Sequence, residues 1–383
     1  YSSCPIIVLF FFVFYVSHSR ADERNDLLKE LDRNVEQRLY YMHIKENRID
    51  SLRKLLHPGQ TVPEQYSINN MIYNEYNTYH CDSAMRYVFL NRELADSMDI
   101  QKYKDEVTIH LSMLLSTTGM FRESIDNLKG IVRAELDNSL LDDYYSVSEW
   151  TYYAAGEYTN DSLYAPQYRR MELLYMDSVL SVLPENTVRS AYYKGKKMVR
   201  EGKLEEALAI FQKLYPTLPV NTRLYAIVTF DIAFIYKRFG NMDLYEQFLI
   251  LAAISDLVCP LKENLAMQEL AIYLYQNKPD DLDRAYKYIQ CSLEDARFYN
   301  NRRRFVQISE KMPVIINAYQ QKSQKEKTLL MAALVGISVL SLLTLLLIFY
   351  TYKPIRLIRK NRYELKQLNE DLHVLNEQLH EAN

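Results

Sequence analysis

The residues able to do covalent chemistry are few and badly spaced for it. Seven His and four Cys occur in 383 residues, and no HExxH pair, nucleophile elbow or metal-ligand spacing links them. Cys4, Cys81, Cys259 and Cys291 lie too far apart for a zinc ribbon or a redox CxxC pair and read as buried free thiols. His373 is followed by Val-Leu-Asn rather than the acidic or polar cluster of a phospho-acceptor helix, and no nucleotide-binding Gly or Asn box accompanies it or His380. Only eight glycines are present, where average usage would give roughly 27. That scarcity excludes hairpin-rich β folds, dinucleotide-binding turns and phosphate-cradling loops. The chain therefore reads as a non-enzyme, with no cofactor and no metal expected.

Recognition chemistry is what remains. Tyr is in excess, 33 copies against 14 Phe and one Trp. Aromatic faces beside hydrogen-bonding cations suit a sugar or a peptide carboxylate. Arg189, Tyr192 and Lys196 on one helix, with Phe230 and Lys237 on the next such helix, are the candidate groove residues. The Tyr excess has a second reading, in which the rings are spacers between helices and keep their hydroxyls at the wet edge. The basic run Arg302-Arg303-Arg304 would suit nucleic acid in isolation. With 46 Lys and Arg against 49 Asp and Glu there is no cationic field around it, and it reads as a solvated helix face near a membrane.

The elements that must position these residues are helices in pairs. In SAYYKGKKMVREGKLEEALAIFQKLYPTLP, Gly195, Gly202, Ala207, Phe211 and Pro219 follow one another at the intervals of a tetratricopeptide (TPR) repeat. Small residues let two antiparallel helices approach, and a large apolar residue one turn later fills the gap. Weaker copies carry Ser112, Gly119, Ser124 and Leu128; Ala233, Tyr236, Gly240 and Leu249, with bulky Tyr245 where a small residue is expected; and Ala271, Ala285 and Ile289, with a longer turn. The segments around Ala84 and Leu174 read as second helices of two further units. The expectation is an all-α, TPR-like helical-repeat solenoid over residues 64–322, whose first helices line a concave face. It is preceded by an amphipathic helix over 20–57 that ends at His57-Pro58-Gly59.

Two apolar segments frame the repeats. Ile6 to Val16 is too short to cross a hydrocarbon core of about 30 Å. Followed by Ser17-His18-Ser19, it reads as a secretory signal over 1–19, its basic n-region missing and its cut after Ser19. Thr328 to Tyr350 carries no charge and is long enough to span a bilayer as a helix. Lys353, Arg356, Arg359, Lys360 and Arg362 follow it closely, which puts residues 351–383 in the cytoplasm and 20–327 in the periplasm of a single-pass inner-membrane protein. In the cytoplasmic stub, Leu365, Leu368, Leu372, Leu375 and Leu379 alternate at three- and four-residue steps, the seam of a coiled coil that would pair two copies of the chain. A seam still running at Asn383 suggests a further cytoplasmic domain.

The stretches AISDL, KENLAMQELAIYLYQ, DRAYKYIQCSLEDARFYN and RRRFVQISEKMPVIINAYQ, with RIDSLRKLL and YHCDSAMRYV earlier, carry a resemblance across nearly the whole chain. It resembles the SusR-like membrane-spanning transcriptional regulators of polysaccharide-utilising Bacteroides-type bacteria. The resemblance implies a periplasmic TPR-like sensor, one membrane crossing and a cytoplasmic helix-turn-helix domain, which these residues lack, so DNA is a partner only through that missing domain. The periplasmic partner expected is an oligosaccharide or a protein. Two other readings stay open: the sensor half of a TPR-containing histidine kinase, and a membrane-tethered TPR scaffold.

Overall fold

A computed structural model describes residues 23–381 apart from 160 and 264; the signal expected over 1–19 lies outside the described residues, as does Cys4. The chain divides into two compact units, one ending at Ile316 and the other running from Asn317. The described residues are helical with no strand: α1 (23–36), α2 (Arg38–Arg53), α3 (Val62–Tyr76), α4 (Cys81–Met98), α5 (Gln101–Thr118), α6 (Phe121–Gly130), α7 (Leu141–Thr159), α8 (Ala165–Val182), α9 (Val188–Arg200), α10 (Leu204–Leu214), α11 (Arg223–Arg238), α12 (Met242–Val258), α13 (Ala266–Asn277), α14 (Leu282–Tyr299) and α15 (Arg302–Glu381). The single helix expected over 20–57 is two helices, broken at Gln37 and finished at Arg53.

Helices α3 to α14 pair as six antiparallel hairpins. The turns of three of them use glycine in the left-handed region, Gly119, Gly202 and Gly240, a backbone conformation that a Cβ strains. The spacing seen in the sequence acts as close packing. Gly195 of α9 faces the ring of Phe211 on α10, which is fully buried, so closely that a Cβ there would meet three ring atoms within 3 Å. Between α5 and α6 the small residues are serines, and Ser124 donates to the Ser112 carbonyl at 2.9 Å. Ser116 and Thr151 of α7 complete a buried hydroxyl cluster at 2.6–3.1 Å, so each polar group has a partner. In the α11–α12 hairpin Tyr245 is buried at the position expected to be small, and α13 and α14 are joined through the one-turn 3-10 helix Pro279–Asp281.

The first unit closes on itself. The Tyr299 hydroxyl at the end of α14 donates to the Asn77 carbonyl after α3 at 2.6 Å, and Lys262 N–H donates to the Thr78 carbonyl at 2.8 Å. Phe298 lies 5.1 Å from the Tyr79 ring and 5.0 Å from His80. The N-terminal helices seal the outside of the same junction. Leu28, Leu31 and Val35 of α1 join the core of the later hairpins, Asp32 accepts from Arg284 at 2.8 Å and from Tyr288 at 2.7 Å, and α2 packs on α3. Cys81 and Cys291 are buried free thiols, pushed by burial up to about 12 and about 11. Cys259 is a free thiol too, but only half-buried, because it sits at the C-cap of α12 rather than inside it.

The second unit is helix α15 from Asn317 onward. α15 contains a stretch with a mean hydropathy of 2.6 and none of its residues buried, making the helix long and apolar enough, by length and composition, to cross a membrane. Leu365, Leu368, Leu372, Leu375 and Leu379 are exposed on the same helix.

Candidate functional site

Two turns of nearly identical sequence set the register of the site helices. Leu183-Pro184-Glu185-Asn186-Thr187 precedes α9, and Leu218-Pro219-Val220-Asn221-Thr222 precedes α11. In each, the Asn is left-handed, and the Thr hydroxyl caps the helix by accepting from the third residue on, Ser190 at 3.2 Å and Tyr225 at 3.3 Å. The same hydroxyls donate back to the Pro184 and Pro219 carbonyls at 3.0 and 2.9 Å. Both helices therefore start in the same way, and their inward faces line one concave surface.

That surface encloses a pocket of about 710 Å³, lined by the first helices of successive hairpins, α3, α5, α7, α9 and α11, by Asp256 of α12, by the segment leading into α13, and by Arg304 in the first turn of α15. The volume falls within the range of small-molecule sites. Its aromatic walls are Tyr73, stacked on His110 at 4.2 Å, with Trp150, Tyr153, Tyr192, Tyr193 and Phe230. Burial lowers His110 to about 4, so it is a neutral ring at ordinary pH.

Charged groups fill the spaces between the rings. Lys196 Nζ is 2.7 Å from Glu149 Oε2; the Glu149 side chain is almost completely buried, and its other oxygen has no partner. The Lys196 ammonium also sits 5.6 Å from the Tyr193 ring and 5.8 Å from Tyr153. Arg200 lies 4.4 Å over the same Tyr153 ring and pairs with Glu172 at 2.6 Å. Arg223 pairs with Glu263, and Arg189 bridges Asp142 and Ser146, each at 2.9 Å. Asp231 lines the pocket without an ion pair. Burial raises it to about 6, against the pull of Lys196 and Arg200. Asp256 is pushed well above the usual carboxylate range by burial and by Glu263 and Asp295. Unpaired carboxyls between aromatic plates can accept from, or when protonated donate to, the hydroxyls of a polyol.

Of the residues expected from sequence, Arg189, Tyr192, Lys196 and Phe230 come together on this pocket. Lys237 does not. It lies further along α11, over the rings of Phe234 and Tyr245 at 5.1 and 5.0 Å, and 3.5 Å from Glu269. Lys196 is also less available than expected, because Glu149 holds it. The reading of Arg302-Arg303-Arg304 as a solvated face is overturned for two of the three: Arg303 and Arg304 are 5% and 7% exposed. The physical reason is that this first turn of α15 packs into the first unit, with Arg303 5.7 Å over Trp150. Trp150, Tyr153 and Glu149 on α7, Arg223 and Asp231 on α11, and Asp256 were not anticipated. The α7 residues carried a usable signal, since a second helix recognised around Leu174 requires a first helix before it, with the single Trp of the chain on its inward face. Among the described residues, no group of three His, Cys, Asp or Glu side chains could hold a metal ion.

The sequence model of the SusR N-terminal TPR domain matches residues 35–310, which covers α2 to α14, the first turns of α15 and every residue that lines the pocket — the chain belongs to this family. It is a TPR-repeat protein of the SusR type. No curated protein sequence matches it significantly.

Proposed function

We propose that this protein is a membrane-anchored sensor whose concave TPR pocket binds an oligosaccharide and whose apolar helix α15 passes the signal to a cytoplasmic, DNA-binding output. The observation that carries the reading is the pocket itself, where five aromatic side chains on α7, α9 and α11 stand around unpaired carboxyls. Sugars are bound in this way, their apolar faces on rings and their hydroxyls shared among carboxyls and cations. The family membership supports a regulator role, and the cluster Lys353 to Arg362 after the apolar stretch supports a cytoplasmic C-terminal side. In this reading the pocket lies in the periplasm and the exposed leucine seam pairs two chains. Ligand binding biases one of two arrangements of that pair.

The test is a thermal-shift titration of the full chain in detergent with an oligosaccharide panel, repeated on Tyr192→Ala combined with Asp231→Asn. Lys196 is left in place because removing it strands Glu149. A sugar that raises the melting temperature of the parent but not of the double variant is the expected result. An undiminished shift in the variant would move the ligand site elsewhere.

A further inference from the structure

Arg303 and Arg304 are the least compensated charges of the first unit. Each is more than nine-tenths buried, and the Nε of each is buried without a hydrogen-bond partner. Arg304 lines the pocket, and its one side-chain hydrogen bond goes to the neutral Gln307 at 2.9 Å. Arg303 stands behind it over Trp150. No ion pair to either guanidinium is present among the described residues. The carboxylates of the same wall do not pair with them: Glu263 is committed to Arg223, and Asp256 makes no ion pair with either guanidinium. Burial and the charge of Arg303 together lower Arg304 to about 9, as an unbalanced cation requires. Asn301 fixes the geometry by capping α15, accepting from Arg304 N–H at 3.1 Å. A buried cation without an anion is costly and is kept where a ligand supplies the missing charge.

We propose that the pocket binds an acidic sugar, an oligosaccharide bearing a carboxylate or sulfate group, with that group held on Arg304, backed by Arg303, and the sugar rings on Trp150, Tyr153 and Tyr192. This deepens the sugar-sensing reading and rests on it. A guanidinium with a free Nε offers a carboxylate or sulfate two parallel donors, which a neutral sugar cannot match. The bound anion would also sit directly on the first turn of α15, the helix that carries the apolar stretch.

The experiment is calorimetric titration of the full chain in detergent with three probes: tetragalacturonate, a chondroitin sulfate disaccharide and neutral cellotetraose. The expected result is that at least one acidic probe binds about tenfold or more tighter than cellotetraose, more weakly as salt rises, and that Arg304→Gln removes the preference. The two acidic arms tell a carboxylate from a sulfate. Cellotetraose binding as tightly as both acidic probes, or Arg304→Gln leaving acidic-probe affinity unchanged, overturns the acidic-sugar assignment and leaves the sugar-sensing reading standing. No binding of any probe overturns both. Unliganded Arg304→Gln supplies a second measurement: its melting temperature should rise by about 2 °C or more, because an unpaired buried charge is gone. A fall, or failure to fold, would make Arg304 a structural tie and sink the proposal.

Discussion

Replacing Gly195 with alanine tests whether close helix approach, rather than loose apolar contact, positions the pocket. A Cβ at this position would lie 2.5, 2.8 and 2.9 Å from Cε1, Cζ and Cδ1 of Phe211. Phe211 is fully buried and its ring is 6.3 Å from that of Tyr192, so it has little room to swing aside. Overpacking of this kind costs about 1–3 kcal/mol. Alanine returns about 0.5–1 kcal/mol of helix propensity in the middle of α9. The net expectation is a loss of about 1–2 kcal/mol, a fall of several degrees in melting temperature followed by far-UV circular dichroism. Gly130→Ala is the control, since nothing lies within 4 Å of a Cβ there, and it should be neutral or slightly stabilising. Phe211→Leu in the Gly195→Ala background should cost less than the sum of the two single changes, because the smaller side chain vacates the contested space. Tyr192 and Lys196 flank Gly195 on α9, so the same displacement should weaken sugar binding. A Gly195→Ala protein as stable as the parent would refute the close-packing argument, and with it the assignment of Gly195 and Phe211 as the spacing pair of this hairpin.

Lys196→Met should destabilise the protein by about 3 kcal/mol in denaturant titration, because it leaves the buried Glu149 carboxylate unpaired. Adding Glu149→Leu should recover most of that loss, and failure to recover would mean that Lys196 acts through something other than its charge. Asp231 supplies a pH dependence with a definite sign. Its folded-state value of about 6 lies above the ordinary 3.8, so the stability it contributes is complete below about pH 4 and is lost as pH rises through 6. Asp231→Asn should therefore be more stable than the parent at pH 7.5, by roughly 1–2 kcal/mol after solvent screening of a half-buried group, and the difference should vanish near pH 4. A difference that stays constant with pH would show that Asp231 is not the titrating group.

Much of the fold was legible in the residues because its determinants are local. Gly195, Ala207 and Phe211 announce a hairpin by their intervals, Gly119, Gly202 and Gly240 mark turns by their backbone freedom, and the uncharged run from Thr328 to Tyr350 is apolar on all sides. The twin Pro-x-Asn-Thr turns before α9 and α11, 35 residues apart, are a further local signal of the same repeat. Four of the five residues expected on the concave face, Arg189, Tyr192, Lys196 and Phe230, line the pocket, since a first helix at a known register must point its i, i+3 and i+7 side chains at that face. Lys237 failed that rule because it lies near the end of α11, beyond the pocket, where Phe234, Tyr245 and Glu269 hold it.

Sequence alone determined the helix pairs, the turns between them and the apolar stretch of α15, each set by residues within a few turns of one another. The tertiary structure decided which ends meet. Closure of the last hairpin on the first, through the Tyr299 hydroxyl on the Asn77 carbonyl and the Lys262 N–H on the Thr78 carbonyl, brings together residues more than 200 apart in the chain in the case of Tyr299 and Asn77. No periodicity encodes that meeting, because it follows from the small rotation between hairpins summed over all six. The same packing turned Arg303 and Arg304 from a basic run that looked solvated into two buried cations beside a pocket. Charge in a sequence says how many ions there are, and only packing says which of them water reaches.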